Sequence, residues 1–331
     1  MQLIRQFLLI TVPALFLFFL ILEGLLRAFG YVPYYLNAAA FTPSLNQAIV
    51  YNLRPNFEGL YAGKIISINS QGFRGAELTH ATAALYRVAV IGDSVAFGQG
   101  VDEDETLARQ LTVRLEKKFE SQVAVVNLGV PGFDTCQEYS RFSESLAKFR
   151  PQIAILVYYE NDTEPSSISV RDGVVMSSDV RAGWFGDFMA ASRKYSYAYN
   201  LVWSNWQVIK HRPVAADEYL KTIARRFSGG YSGWRRSKAC LADLASLSRT
   251  QSIRLIVIPF PPMASLREKP YPLAPYIKAV CDAATVAGVE CLNVLPALQD
   301  PHLQLTVSHI DQHPSAGVQG RVAEQIAKIL P

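Results

Sequence analysis

The residue best placed to do chemistry is a serine that follows a run of apolar residues. Ser94 comes directly after Gly92 and Asp93, and residues 86–91 before them include three branched apolar side chains. Such a run predicts a buried strand, and open α/β sheets bind their ligands at the carboxyl ends of their strands. A serine hydroxyl at that position can attack a carbonyl carbon when a neighbouring base takes its proton. The plain alternative is a turn, because Gly, Asp and Ser are common turn residues.

The glycines that follow Ser94 do not complete a phosphate-binding motif. Gly98 and Gly100 could cradle a phosphate, but a P-loop has Lys and then Ser or Thr after its last glycine, and Val101 follows Gly100 here. The Gly-x-Gly-x-x-Gly pattern of dinucleotide-binding folds is absent from this segment. The nucleophile elbow Gly-x-Ser-x-Gly also fails, because Ala96 occupies its last position.

A base for the serine must come from one of five histidines. These are His80, His211, His302, His309 and His313. His313 lies two residues after Asp311, between the last predicted strand and the last predicted helix, and a carboxylate can orient a histidine ring. In a parallel sheet this loop lies at the same edge as Ser94. An ordinary loop in which Ser315 caps the last helix is an equally good interpretation.

Two further histidines compete with His313 as the base. Asp300 and His302 repeat the Asp-x-His spacing, and His309 lies shortly before His313. A single Asp-x-His pair arises often by chance, so the spacing alone does not choose among them.

An acyl-transfer site also needs hydrogen-bond donors for the negatively charged oxygen of its intermediate. The loop after the second predicted strand, residues 127–135, contains Gly129 and Gly132, where the missing side chain lets a backbone N–H approach a substrate closely. The loop after the third predicted strand offers the side-chain amide of Asn161. Each loop taken alone is also an ordinary connection between a strand and a helix, and Asn161 begins an N-glycosylation pattern.

Alternating strands and helices must position these loops. The apolar pattern predicts strands over residues 86–91, 123–127, 153–158, 253–258 and 289–294. It predicts helices over residues 106–119, 137–149, 236–250, 275–287 and 315–330. Such alternation is typical of βαβ units and a parallel sheet.

Two segments lie outside this alternation. Residues 31–85 are rich in Pro, Asn and aromatic side chains, and we expect a small β-rich lead-in packed on the main domain. Residues 163–232 are an insertion with a predicted hairpin at 168–180, followed by a set of aromatic residues: Trp184, Phe185, Tyr195, Tyr197, Tyr199, Trp203 and Trp206. The insertion either packs a small core of its own, covers the site as a lid or acceptor-binding wall, or faces a membrane.

The N-terminal segment is long and apolar enough to cross a bilayer. Residues 7–22 carry no charge, and the apolar run continues past Glu23 to Leu26, about 20 residues in all. A cleavable signal peptide is the alternative, but the residues after the run make a poor cleavage site. We therefore expect an uncleaved signal anchor over residues 1–30, the lead-in over 31–85, and the main domain over 86–331 in the periplasm or outside the cell.

Charge and cysteine content exclude some functions. The formal net charge of +4 is small and unclustered, which argues against a nucleic-acid partner. The four cysteines form no Cys-x-x-Cys motif, so neither a zinc site nor a redox pair is expected: Cys136, Cys240, Cys281 and Cys291. Cys281 and Cys291 could pair in an oxidising compartment, and buried free thiols are the alternative.

Taken together, four loops are similar to the motifs of the SGNH (GDSL-type) hydrolase family. The matching segments are Gly92-Asp93-Ser94 with Gly98, residues 127–132, Asn161-Asp162, and Asp311 with His313. They fall within residues 86–330, about three quarters of the chain. Residues 69–75 also resemble the segment before the catalytic domain in membrane-anchored bacterial members.

The resemblance implies a fold and a set of roles. The fold would be a flavodoxin-like three-layer α/β/α arrangement with a parallel sheet. Ser94 would be the nucleophile, His313 the base and Asp311 the residue that orients the base. The backbone N–H groups of Ser94 and Gly132, with the Asn161 side chain, would form the oxyanion hole. No metal or organic cofactor is implied.

Two positions differ from the usual pattern of that family. The family commonly spaces its acid and base as Asp-x-x-His, whereas a single residue separates Asp311 from His313. Its third motif is commonly Gly-x-Asn-Asp, and Tyr159 replaces that glycine, which would narrow the site or change the neighbouring pocket. Gly129 is the alternative to Gly132 as an oxyanion donor.

Three functions are consistent with these residues. The first is a serine esterase that removes acyl groups from an envelope glycan or lipid through an acyl-serine intermediate. The second is an O-acyltransferase that passes the same acyl group to a sugar hydroxyl, with the aromatic insertion shielding the intermediate from water. The third is a non-catalytic domain that binds a glycan or a protein partner. In each case the N-terminal helix would contact the membrane.

Overall fold

The computed structural model describes residues 7–34, 36–78, 86–166, 168–171, 174–177, 192, 195–210 and 216–330. The apolar N-terminal segment forms the helix α1 (Val12–Ala28), preceded by a π-helical turn at Phe7–Thr11. The stretch Leu9–Ala28 has a mean hydropathy of 2.4, and none of it is buried against the rest of the described structure. This helix is long and apolar enough to be a membrane anchor or a signal sequence.

Two antiparallel strand pairs follow the helix. They are β1 (Phe41–Pro43) with β2 (Tyr51–Leu53), and β3 (Glu58–Tyr61) with β4 (Lys64–Ser67). Their buried side chains form a small hydrophobic core that also contains Phe97, Val130 and Phe133. The lead-in therefore packs directly against the loops that follow the first two strands of the main sheet.

Seven further strands occur in the described residues. In chain order they are β5 (Tyr86–Gly92), β6 (Val123–Asn127), β7 (Ile153–Tyr158), β8 (Ile168–Arg171), β9 (Val174–Ser177), β10 (Arg254–Pro259) and β11 (Glu290–Cys291). β8 and β9 form the hairpin expected in the insertion, although its turn residues 172–173 lie outside the described residues. The other five strands form one parallel sheet in the order β6-β5-β7-β10-β11. This is the doubly wound order of flavodoxin-like folds.

Helices cover both faces of this sheet. In chain order they are α2 (Ser94–Phe97), α3 (Leu107–Phe119), α4 (Thr135–Ser145), α5 (Tyr197–Lys210), α6 (Ala216–Arg226), α7 (Ser232–Thr250), α8 (Ala274–Val286), α9 (Leu295–Leu298) and α10 (Ala316–Ile329). α3 packs against α10, whereas α7 packs against α4 and α8. Because crossovers between parallel strands are right-handed, the helices that follow β5 and β6 lie on opposite faces. The predicted three-layer α/β/α fold is confirmed.

The fifth strand is shorter than predicted. The pattern predicts a strand over residues 289–294, but β11 ends at Cys291. The N–H of Leu292 still donates to Val257 O at 2.9 Å. The side chain of Asn293 then accepts the N–H of Leu295 at 3.0 Å, which turns the chain into α9. A local side-chain cap therefore ends the strand that the apolar pattern would continue.

All four cysteines are paired. Cys281 is bonded to Cys291, and Cys136 is bonded to Cys240, which joins α4 to α7. The alternative of buried free thiols is wrong. Nothing in the sequence indicates the Cys136–Cys240 bond, because 104 residues separate the two positions and only the packing of α4 on α7 brings them together.

Candidate active site

Ser94 lies at the carboxyl end of β5, an interior strand paired with β6 and β7, where α2 begins. A Cβ at Gly92 would lie 2.6 Å from Ala96 Cβ and 2.9 Å from Val157 O, so the turn requires glycine. The buried Asp93 caps α2, since its Oδ1 accepts the backbone N–H two residues on at 2.8 Å. The turn thus fixes the backbone at Ser94, whose side chain is half-buried.

Asp311 and His313 lie in the loop between α9 and α10. An antiparallel bridge between Thr306 and Pro314 closes this loop. Ser308 Oγ accepts the N–H of Asp311 at 3.0 Å. Asp311 is buried and His313 is half-buried, so this closed loop holds the Asp311 carboxylate beneath the surface.

The structure brings Ser94, His313 and Asp311 into one line of hydrogen bonds. His313 Nε2 is 2.8 Å from Ser94 Oγ, and His313 Nδ1 is 2.6 Å from Asp311 Oδ1. The same Asp311 oxygen accepts the backbone N–H of His313 at 2.9 Å. With the proton on Nδ1, the lone pair of Nε2 faces the serine hydroxyl and can accept its proton. A single intervening residue suffices because one carboxylate oxygen serves both the ring and the backbone of His313.

The competing histidines make their contacts elsewhere. His302 is exposed, its N–H donates to Asp300 Oδ1 at 2.9 Å, and Asp300 pairs with Arg321 at 3.2 Å. His309 is also exposed, and its Nε2 is 3.5 Å from Asn205 Oδ1 in α5. The other two histidines lie outside the described residues: His80 and His211.

The loop after β6 packs directly on α2. Asn127 Nδ2 donates to Phe97 O at 3.1 Å, and Asn127 Oδ1 accepts the N–H of Gly129 at 3.0 Å. A Cβ at Gly129 would lie 2.2 Å from Phe97 N, so only glycine allows this close approach. The N–H of Gly129 is therefore already used within the loop.

Gly132 lies further along the same loop with a left-handed backbone, φ +82°. Within the described residues its N–H donates no hydrogen bond, and the N–H of Ser94 donates none either. A Cβ at Gly132 would lie 2.9 Å from the hydroxyl oxygen of Tyr51, which donates to Pro131 O at 2.8 Å. Tyr51 of β2 therefore contacts this loop at Pro131 and Gly132 and helps to fix its backbone.

Asn161 follows β7 in a tight turn, where Asp162 Oδ2 accepts the N–H of Tyr159 at 3.1 Å. Asn161 Nδ2 donates to Asp93 Oδ2 at 3.1 Å. The hydroxyl of Ser94 is 3.4 Å from the same Asp93 oxygen. The loops after β5 and β7 are thus joined beside the serine, and the second N–H of the Asn161 amide remains for a substrate.

Helix α6 of the insertion forms a wall next to this turn. Arg226 of α6 pairs with Glu160 at 2.7 Å and with Glu164 at 3.2 Å. Burial raises the pKa of the Tyr159 phenol, and the neighbouring Tyr219 phenol and Glu160 carboxylate raise it further. Tyr159 therefore presents a protonated hydroxyl at a position where a glycine would leave open space.

Several buried carboxylates surround these loops. Burial raises the pKa of Asp93, against the opposing effects of the Val95 N–H, the His313 charge and the Asn161 amide. Burial raises the pKa of Glu138 and of Asp162 well above their ordinary values, and the charge of Asp93 adds to both. Neither oxygen of Glu138 has a hydrogen-bond partner among the described residues. Burial therefore favours the protonated form of Glu138.

Residues outside the predicted site also hold its loops in place. Arg74 is buried and donates to three carbonyl oxygens in residues 97–101, at 2.6 to 3.0 Å, so it fixes the loop after α2. Gln99 Nε2 is 3.3 Å from His313 Nδ1 and 3.0 Å from the hydroxyl oxygen of Tyr34. Arg74 lies in a segment that resembles a family motif. No spacing in the sequence connects Tyr34 to Gln99.

Comparison with known proteins gives structural neighbours only. No protein-family model and no curated protein matches the sequence. A lipolytic protein of the G-D-S-L family from Desulfitobacterium hafniense is 16% identical with a TM-score of 0.40, over 74% of this chain and 99% of that chain. TesA is 14% identical with a TM-score of 0.41, over 72% and 95%. A variant of Axe2, an acetylxylan esterase from Geobacillus stearothermophilus, is 15% identical with a TM-score of 0.43, over 74% and 94%. Identity and TM-score are low in all three cases.

Proposed function

We propose that this chain is a serine ester hydrolase of the SGNH (GDSL-type) family. One observation carries the proposal: His313 lies 2.8 Å from the Ser94 hydroxyl on one side and 2.6 Å from the Asp311 carboxylate on the other. Such a line of groups lets a weakly nucleophilic hydroxyl lose its proton as it attacks.

The reaction would proceed through an acyl-serine. Ser94 Oγ attacks the ester carbonyl carbon while its proton passes to His313 Nε2. The same proton then goes to the departing alcohol oxygen as the C–O bond breaks. A water molecule, deprotonated by His313, next attacks the acyl-serine, releases the carboxylic acid and restores Ser94. Asp311 accepts the Nδ1–H throughout and stabilises the charged ring.

Each tetrahedral intermediate carries a negatively charged oxygen that needs donors. The N–H groups of Ser94 and Gly132 are suited to this role, because neither has an acceptor within the described residues. Asn161 can add a third donor, since its contact with Asp93 uses one of two amide protons. Gly129 is not a donor in this proposal, because Asn127 already binds its N–H.

We further propose that the substrates are acylated glycans or lipids of the cell envelope, and that the body of the protein lies outside the cytoplasm. The apolar helix α1 could anchor the chain in a membrane. The two disulfides support an oxidising compartment, since such bonds persist mainly outside the cytoplasm.

The test is hydrolysis of p-nitrophenyl acetate by the full chain in detergent micelles. Wild type is compared with Ser94→Ala and with Ser140→Ala, whose hydroxyl donates to Cys136 O within α4. We expect turnover that is lost in Ser94→Ala and retained in Ser140→Ala. Equal background rates in all three proteins would contradict the proposal and favour a non-catalytic binding domain.

An O-acyltransferase is the second candidate, and the wall formed by α6 favours it. The Arg226–Glu160 ion pair holds α6 beside Asn161, where it can keep water from an acyl-serine. Mass spectrometry of reactions that contain p-nitrophenyl acetate and an added oligosaccharide separates the two activities. Acetylated sugar that increases with sugar concentration would identify a transferase, whereas acetate alone would identify a hydrolase.

A further inference from the structure

Tyr34 lies beside the acid–base pair although it comes only six residues after the end of α1. Its hydroxyl oxygen accepts a hydrogen bond from Gln99 Nε2 at 3.0 Å. Gln99 is buried, and the same Nε2 is 3.3 Å from Nδ1 of His313. Tyr61 donates to the other end of the Gln99 amide at 3.4 Å. Two tyrosines of the lead-in thus hold one amide against the imidazole ring.

One oxygen of the Asp311 carboxylate, Oδ2, takes no part in the contacts with His313. Oδ1 accepts both N–H groups of His313, at 2.6 and 2.9 Å. Oδ2 is buried and has no hydrogen bond of ordinary geometry within the described residues. On one side it faces Gly100, where a Cβ would lie only 2.7 Å away. Burying a carboxylate oxygen that accepts no hydrogen bond destabilises the folded protein. A hydrogen-bond donor close to Asp311 Oδ2 would therefore stabilise it.

The Tyr34 hydroxyl is the candidate donor, because Gln99 Nε2 lies 3.0 Å from it and 3.3 Å from His313 Nδ1, which contacts Asp311. Burial raises its pKa, and the negative charge of Asp311 raises it further, so the phenol keeps its proton. Gln99 donates to the oxygen of this hydroxyl, which leaves the O–H proton free to point toward Asp311.

The backbone of Tyr34 is held in place by the insertion. The N–H of Tyr34 donates to Asn200 Oδ1 at 3.0 Å, and Asn200 Nδ2 donates to Tyr34 O at 2.8 Å. Asn200 lies in α5 and is only 1% exposed. The start of α5 is in turn held by α1, because Glu23 Oε2 accepts the N–H of Ala198 at 2.9 Å. Contacts therefore run from the N-terminal helix through α5 to Tyr34.

Building on the proposed function, we propose that Tyr34 is a positioning residue for the acid–base pair. Its O–H is directed at Asp311 Oδ2, which accepts no other hydrogen bond within the described residues, and so holds the carboxylate that aligns His313 with Ser94. This contact compensates for the short Asp-x-His spacing, in which Oδ1 alone binds both groups of His313. Tyr34 acts through Asp311 and touches neither the substrate nor the reacting atoms.

The test measures steady-state hydrolysis of p-nitrophenyl acetate by the full chain in detergent. Tyr34→Phe removes the hydroxyl and keeps the ring. We expect kcat to fall about tenfold with KM unchanged, and the melting temperature to fall by roughly 2–4 °C because the buried oxygen loses its donor. The matched control is Tyr86→Phe, whose ring stacks on Phe119 at the opposite end of β5, and its kcat should stay within about twofold of wild type.

A double mutant separates positioning from a general structural effect. In the Asp311→Asn background the carboxylate that Tyr34 serves is already gone. Adding Tyr34→Phe there should lower the rate by less than about twofold, measured by turnover and by the rate of fluorophosphonate labelling. A purely structural role would lower the rate equally in both backgrounds.

The outcomes distinguish this inference from the function on which it rests. If Ser94→Ala is as active as wild type, the proposed function itself is wrong. If Ser94→Ala is inactive but Tyr34→Phe matches wild type, the function stands and the role of Tyr34 is refuted. A full tenfold loss that persists in the Asp311→Asn background would also overturn it.

Discussion

Two Asp-x-His pairs in this chain have the same spacing and different surroundings. In both pairs, Asp300 with His302 and Asp311 with His313, the Asp Oδ1 accepts the backbone N–H of the His at 2.9 Å. At the first pair the carboxylate turns to Arg321 at the surface, and the ring is exposed. At the second the carboxylate is buried, and the ring turns back to it at 2.6 Å.

The difference shows what makes such a pair chemically useful. The spacing produces a common turn in which an aspartate caps a nearby N–H. At the surface, water and salt weaken the attraction between the carboxylate and any partner, so such contacts contribute little. In the second pair the Asp311 carboxylate is buried, and the nearby hydrogen-bonding groups fix its geometry. Only there does the opposite ring nitrogen meet Ser94.

The largest predicted effect compares the two histidines. His313→Ala should lower kcat about 10⁴-fold, because the proton of Ser94 then has no acceptor. His302→Ala should leave kcat within about twofold of wild type. Both are measured by p-nitrophenyl acetate hydrolysis with the full chain in detergent. Loss of activity in His302→Ala, with His313→Ala intact, would reverse our assignment of the base.

The two aspartates should differ almost as much. Asp311→Asn should lower kcat about 10³- to 10⁴-fold, since an amide no longer stabilises the charged ring or fixes its tautomer. Asp300→Asn should keep full activity and change the free energy of unfolding by about 0.5 kcal/mol or less, because its partner Arg321 is 39% exposed. Similar activity losses in both variants would show that burial does not distinguish the two pairs.

The third prediction concerns Asn161, which lies in a loop next to the Asp311–His313 pair. Asn161→Ala should lower kcat about 10²-fold with little change in KM, because an oxyanion donor acts in the transition state. The matched control is Asn293→Ala, which removes an exposed side chain whose Oδ1 accepts the N–H of Leu295. If Asn161→Ala raises KM and leaves kcat unchanged, its amide binds substrate rather than the intermediate.

The smallest predicted effect concerns Glu138, a buried carboxylate that, unlike Asp311, has no hydrogen-bond partner among the described residues. The folded-state pKa of Glu138 lies well above its ordinary value of 4.5. Protonated Glu138 therefore stabilises the fold fully below about pH 4.5. This stabilisation is lost as the pH rises through the raised folded-state pKa. Glu138→Gln mimics the protonated acid and should raise the melting temperature at pH 8 by about 2 °C, with no change at pH 4.

The control for this prediction is Glu324→Gln, which alters an exposed carboxylate whose contacts with Lys328 lower its pKa. It should show no gain in melting temperature at pH 8. A Glu138→Gln protein that is equally stabilised at pH 4 and pH 8 would mean that the effect is not one of ionisation.

The sequence was sufficient where the information is local or follows from topology. Apolar runs predict the parallel strands, and the rule that ligands lie at strand ends brings Ser94, Asn161 and His313 to one edge. The apolar pattern predicts a fifth strand that is longer than the one observed. The side chain of Asn293 turns the chain by accepting the N–H of Leu295, and periodicity does not show this contact. The roles of the site residues stay predictions until variants are measured.

The sequence was insufficient where distant segments meet. Tyr34 contacts Gln99 through its hydroxyl, while Asn200, far along the chain, binds its backbone. The Cys136–Cys240 bond likewise depends on the packing of α4 on α7. Such contacts arise from the packing of whole elements, and neither spacing nor composition within one segment records them.

The most direct test of the central claim is to map where a fluorophosphonate attaches to the full chain in detergent. The reagent forms a covalent adduct only with an activated nucleophile, and mass spectrometry of peptides identifies the residue. We predict an adduct on Ser94 in wild type and in His302→Ala, with labelling lost in His313→Ala. Labelling at another residue, or equal labelling of Ser94 in His313→Ala, would contradict the proposal that His313 activates this serine.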